Sequence, residues 1–190
     1  SFLLGVKYYV AFEALEFGRA LHNGNRKDGS PEFIHQLTMA QFIFNMLDFL
    51  MYPEPTLGGI YLHDAPEDKD IPHGTILNKF GERIATPVRL MDKHRLRPHS
   101  LSLEEYYAEL QDCPIGSAIK AVDRSHNLAT MFNAFAKAKQ IEYVRETEQF
   151  VLPMLKQAFY NFPKQANFYG IMHHTLRLQI DMLKNALKMD

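Results

Sequence analysis

The sequence predicts an all-α fold, a multi-helix bundle of roughly eight to ten helices. Three observations predict it. Apolar residues recur at helical spacing along most of the chain. Strand signals are weak: Asn23-Gly24 and Asp28-Gly29 share one polar loop instead of joining two alternating apolar runs. With 190 residues, 46% of them hydrophobic and 23% charged, the chain can bury a sizeable core as one domain spanning 1–190.

Taken in order, Val6, Val10, Ala14, Phe17 and Leu21 form an apolar stripe and predict a first helix. A polar loop from His22 to Pro31 follows. Phe33, Leu37, Ala40, Phe44 and Leu47 predict a long helix from about Glu32 to Met51. Pro53 and Pro55 separate it from a helix running from near Thr56 to His63. Pro72 opens a short helix closed by Phe80-Gly81, where glycine suits a C-cap. Ile84 to Met91 form the next, and Pro98 breaks the basic stretch Arg89 to Arg97. Ser102 and Glu105 have capping-box spacing and start a helix that Cys113-Pro114 ends. Long helices are expected over Ile115–Phe135, over Ile141–Phe162 with a kink at Pro153, and over Gly170–Met189. In the last, Leu176, Ile180, Leu183 and Leu187 read as core packing.

Composition narrows the function. A net charge of -1 gives no basic excess for nucleic acid and no acidic block for a solvated tail. No apolar run reaches the ~20 residues of a membrane span. The Ser-Phe-Leu-Leu-Gly start lacks a signal-peptide pattern. A lone cysteine, Cys113, rules out an internal disulfide and fits a reducing cytoplasm. Nothing in the chain decides between a monomer and a homo-oligomer.

The chemistry concentrates in Tyr61-Leu62-His63-Asp64-Ala65-Pro66-Glu67-Asp68. Imidazole nitrogen and carboxylate oxygen suit Mn²⁺, Fe²⁺ or Zn²⁺, and His63 and Asp64 at a helix end can reach one ion. Further ligands must come from elsewhere, and two candidates stand out. His35 lies in the first turns of an apolar helix. Asp123 follows the apolar run from Ala118, where a carboxylate is costly to bury unless paired or metal-bound. Asn127 lies four residues on and shares its face. Arg124, beside Asp123, can pair with phosphate or carboxylate. Glu67 or Asp68 can take or relay a proton. Arg26 and Lys27, on the loop before His35, can meet an anionic substrate. These pieces describe metal-assisted hydrolysis of a phosphate ester or anhydride. His173-His174 offers a second histidine pair, but adjacent residues diverge on a helix, so it reads as structural.

At this point the sequence resembles the HD-domain phosphohydrolases, and within them the hydrolase domain of the Rel/Spo alarmone enzymes and their small single-domain relatives. Arg26-Lys27-Asp28-Gly29, Phe33-Ile34-His35, His63 to Asp68, Phe80-Gly81-Glu82-Arg83-Ile84-Ala85 and Lys120 to Leu128 carry the resemblance, in order, over about residues 11 to 155. The segment 141–189 would add helices packed on that core. The resemblance implies an HD-domain bundle that hydrolyses the 3′-diphosphate of (p)ppGpp with Mn²⁺, releasing GDP or GTP and pyrophosphate, in the cytoplasm. It implies His35, His63, Asp64 and Asp123 as metal ligands and Glu67 and Asp68 as the pair that positions and deprotonates water. Arg26, Lys27, Lys93, Asn127 and Tyr143 would contact the nucleotide.

The chain departs from that pattern in three ways. Pro66 stands inside the motif, disfavours helix at Ala65 and is expected to start a new turn at Glu67-Asp68. Gln36 follows His35 where the family has proline. A synthetase domain is not expected. Two other readings stay open: hydrolysis of an adenosine alarmone, NADPH or a deoxynucleotide at the same site, or a non-catalytic alarmone-binding module.

Overall fold

A computed structural model describes residues 2–25, 29–96 and 101–189. The expected all-α class is what forms. Twelve α-helices follow one another among the described residues: α1 (Phe2–Gly5), α2 (Tyr9–Leu21), α3 (Ile34–Ile43), α4 (Pro53–Leu62), α5 (Ala65–Lys69), α6 (His73–Phe80), α7 (Glu82–Met91), α8 (Leu103–Gln111), α9 (Pro114–Thr130), α10 (Lys137–Glu146), α11 (Leu152–Asn161) and α12 (Ala166–Leu187). Asn25 and Pro31 form a single bridge across their loop.

Helices α2, α3, α7 and α9 all pack against α4, which makes α4 the centre of this part of the bundle. It contains no polar face: all of Thr56 to Leu62 is buried. Two glycines let neighbours close on it. A Cβ at Gly18 of α2 would collide with the Tyr61 carbonyl, and one at Gly59 with the Ile119 side chain of α9. Both positions therefore suit only glycine without local movement. The C-terminal α11 and α12 pack on each other and on α9, with Leu176, Ile180, Leu183 and Leu187 buried as expected.

Several boundaries differ from the sequence expectation, each for a local reason. The first helix is broken at Lys7, whose φ is +62°, and Val6 and Val10 are exposed. The buried stripe is Ala11, Ala14, Leu15 and Gly18, which shares only Ala14 with the expected one; the small Ala11, Ala14 and Gly18 permit the close approach to α4. The long helix stops at Ile43 and tightens into a 3₁₀ segment, Phe44–Phe49. Pro53 and Pro55 lie inside the first turn of α4 instead of ahead of it, and Pro66 lies in the first turn of α5. A first-turn N–H has no intrahelical acceptor, so proline loses nothing there. Ala65 is consequently helical, contrary to the expected effect of Pro66. The helix over Ile115–Phe135 ends at Thr130 and continues as a 3₁₀ turn. The kink expected at Pro153 is a wide π turn, Thr147–Val151, directly before it. The capping box at Ser102 and Glu105 forms, with Glu105 N–H donating to Ser102 Oγ at 3.2 Å.

Candidate active site

Four side chains from four segments converge at the carboxyl end of α4. His63 caps that helix and Asp64 begins α5, so the chain turns between them and both side chains can face the same point. His35 comes from the first turn of α3 and Asp123 from the middle of α9. Ligand atoms of His35, His63 and Asp64 lie within 4.8 Å of one another. Asp123 joins through the two imidazoles: its Oδ1 is 3.4 Å from His35 Nε2 and 3.8 Å from His63 Nε2.

The residues present fit a divalent ion. His63 Nδ1 lies 2.9 Å from the Ile60 carbonyl, which accepts its proton and leaves the Nε2 lone pair facing inward. That Nε2 is buried, 3.0 Å from Asp64 Oδ1, and makes no aligned hydrogen bond. A lone pair against two carboxylates is repulsive without a positive charge among them. In the absence of an ion a proton serves: burial opposes it, but Asp64 and Asp123 push the His63 imidazole up to about 9. Burial would raise both aspartates, yet the imidazoles hold Asp64 below its usual value. Asp123 is held well below it by the His35 hydrogen bond and the Lys120 ammonium.

Around this centre is a pocket of about 290 Å³. Glu67 and Asp68 line it, but differently. Glu67 accepts from the Lys93 backbone N–H at 2.6 Å, and burial keeps its carboxyl above the usual value. Asp68 is 54% exposed, and burial of its oxygens together with Asp64 raises it as well. His22 is buried behind Asp68, with Nε2 3.9 Å from Asp68 Oδ2. Lys93 and Tyr143 stand on the pocket wall, the ammonium 5.9 Å from the ring centroid. Asn127 lines the pocket too and donates to Asp123 Oδ1 at 2.7 Å, as the four-residue spacing implied. Arg26 and Lys27 lie outside the described residues.

Other residues near the site carried only faint sequence signals. Lys120 is 1% exposed, with Nζ 3.7 Å from Asp123 Oδ2 and over the Tyr106 ring. Its place three residues before Asp123, inside the apolar run, is a signal that could have found it. Arg124, also 1% exposed, donates to Glu146 at 2.5 Å and lies over the Tyr143 ring, 4.6 Å from its centroid; of the two partners its chemistry allows, a carboxylate is the one present. Nothing near Arg124 in sequence names that partner. His35 Nδ1 meets His126 Nδ1 at 2.9 Å, and Gln36 Nε2 donates to Asp64 Oδ2 at 3.0 Å. On α12, burial and the cations Arg177 and Lys156 lower the His173 imidazole, and the site's pocket is lined by neither His173 nor His174.

No family model matches the chain. Over 146 residues, 74% of this chain, it is 29% identical to the guanosine-3′,5′-bis(diphosphate) 3′-pyrophosphohydrolase of Aquifex aeolicus. It is also 29% identical over 136 residues to a probable enzyme of the same name from Synechocystis. The chain spans only 20% and 17% of the length of these two relatives. A solved structure of a metazoan SpoT ortholog, described as hydrolysing ppGpp, matches with a TM-score of 0.62 and 17% identity, covering 93% of this chain and 94% of that one. The fold is therefore that of the ortholog, and both curated relatives bear the name of the activity that the motif resemblance implies.

Proposed function

We propose that this chain is a metal-dependent hydrolase domain of the HD type that removes the 3′-diphosphate of (p)ppGpp, giving GDP or GTP and pyrophosphate. One observation carries the proposal: His35, His63, Asp64 and Asp123 meet at one wall of a pocket that also presents Glu67 and Asp68. The names of the two curated relatives supply the substrate class.

His35, His63, Asp64 and Asp123 would hold the ion, with Mn²⁺ as the proposed native metal. Such an ion, when bound, lowers the pKa of a water and polarises a phosphoryl oxygen. The rest is done by the chain. Glu67 is fixed by the Lys93 N–H, and its raised pKa suits it to take a proton from water near neutral pH. Asp68, more exposed, orients that water and passes the proton outward. Lys93 and Tyr143, which line the pocket, receive the phosphates, joined by Arg26 and Lys27 from the loop before α3. Asn127 and Lys120 keep Asp123 ionised and in place, and Asn127 is close enough to the cavity to touch ribose or phosphate. The motif-bearing core, about 11–155, and the packed C-terminal helices act as one domain. A nucleotide substrate and a single cysteine suit the cytoplasm.

The test is incubation of purified protein with Mn²⁺ and ppGpp, followed by separation of products. GDP and pyrophosphate, formed in equal amounts and stopped by chelator, are the expected result. Untouched ppGpp alongside turnover of an adenosine alarmone, NADPH or a deoxynucleotide would reject the substrate assignment. Tight ppGpp binding without turnover would reject the enzyme.

A further inference from the structure

Gln36 is the residue at this site that the motif pattern does not account for. It is 2% exposed, on the first turn of α3 next to His35. Its Nε2 donates to Asp64 Oδ2 at 3.0 Å. An ionised carboxylate only accepts, so the amide nitrogen must be the end that faces Asp64. That orientation aims Oε1 the other way, where it is buried without a hydrogen-bond partner among the described residues. Gln36 also lines the pocket. The side chain is thus tied to Asp64 at one end and offers a bare acceptor at the other.

Leaving a buried acceptor unpaired forfeits its hydration with nothing in return. A glutamine kept for stability would not be arranged this way, since an apolar side chain of similar length would fill the space without that cost. Asp64, 27% exposed, could take its hydrogen bond from water instead. What water cannot do is hold the carboxylate in one rotation. With Oδ2 tied to Gln36, Oδ1 is turned to His63 Nε2, 3.0 Å away.

We infer that Gln36 is a positioning residue for the metal site: its amide fixes which oxygen Asp64 presents to the ion, and its free carbonyl accepts from a donor in the pocket, a water or a substrate hydroxyl. The inference rests on the proposed metal-dependent reading of the site. Partners of metal ligands typically contribute about 10–100-fold to metal affinity.

The test is Gln36→Met, which keeps the length and removes both polar ends, with Mn²⁺ affinity measured by calorimetry on the full chain. Affinity should fall about tenfold or more. Without metal the variant should melt at the parent temperature or above it, because the unpaired acceptor is gone. Hydrolysis of ppGpp should recover most of the parent rate at saturating Mn²⁺. A melting temperature well below the parent's with unchanged Mn²⁺ affinity would overturn the inference, marking Gln36 as structural. Affinity within twofold of the parent would overturn it as well. A parent protein that binds no Mn²⁺ would instead reject the metal-dependent reading and, with it, this inference.

Discussion

Asp64 and Glu67 are three residues apart and have opposite electrostatic settings, which defines separate tests. Imidazoles hold the Asp64 carboxyl below its usual value, so it is ionised throughout the working range. Asp64→Ala should lower ppGpp hydrolysis by more than the roughly 100-fold expected for losing only a ligand's partner, measured as kcat/KM at fixed Mn²⁺. Burial raises Glu67 instead. As a base it works only when ionised, so activity should fall as pH drops through a value above the ordinary carboxylate range. Glu67→Gln should cost about 10²–10⁴-fold in kcat and remove that acidic limb, read from a pH profile at saturating Mn²⁺. The same shift has a stability consequence. A raised folded pKa means that the folded state holds the proton more tightly than the unfolded chain, so folding is favoured at low pH and loses that advantage above the unfolded value. Near neutral pH, the metal-free Glu67→Gln protein should therefore melt higher than the parent while being the poorer enzyme. Gln keeps an acceptor for the Lys93 N–H, so the loss of charge is what the melt reports.

Helices α2, α4 and α9 set the distance between the two halves of the metal site. Gly18 is the least forgiving point, since an added methyl would meet the Tyr61 backbone and backbone cannot swing aside. Gly18→Ala should destabilise by about 1–3 kcal/mol, seen in a denaturant melt, and should also weaken Mn²⁺ binding because α4 delivers His63 and Asp64. The element level is also where the sequence was only partly legible. Capping chemistry was readable: Ser102 with Glu105, Gly81 at its positive φ, Pro72 ahead of α6. Those signals are local. The stripe through Val6 and Val10 failed because small residues, Ala11, Ala14 and Gly18, form the buried face, and large apolar residues alone do not reveal a close helix contact. Prolines misled for a similar reason, since position within the first turn decides whether they break a helix.

Over the whole molecule, binding at a site drawn from α3, α4, α5 and α9 must tie those helices together. An ion that binds only the folded chain stabilises by about 2.7 kcal/mol at a hundredfold excess over its Kd. Mn²⁺ should accordingly raise the melting temperature and chelator should reverse it. The effect should grow with pH up to about 9, because the ion must displace the proton that His63 otherwise carries. Also on α9, Arg124 is buried and paired with Glu146, which also accepts from Tyr107 at 2.5 Å. Glu146→Gln leaves that cation uncompensated and should cost about 3–5 kcal/mol, measured by chemical denaturation.

His63, Asp64, Glu67, Asp68 and Asp123 could be named from the sequence because motif spacing and a carboxylate in an apolar run are properties of the chain alone. The helical class was legible for the same reason, since periodicity is local. Only the tertiary structure decided that Gln36 holds Asp64, that the Lys93 backbone holds Glu67, that Lys120 shares Asp123, and that Arg124 pairs with Glu146. Two of these pairs, Gln36 with Asp64 and Lys93 with Glu67, join residues 28 and 26 positions apart, and no local propensity encodes such a meeting. It depends on how closely α2, α3 and α9 approach α4, and that distance is set by which side chains are small enough to let them in.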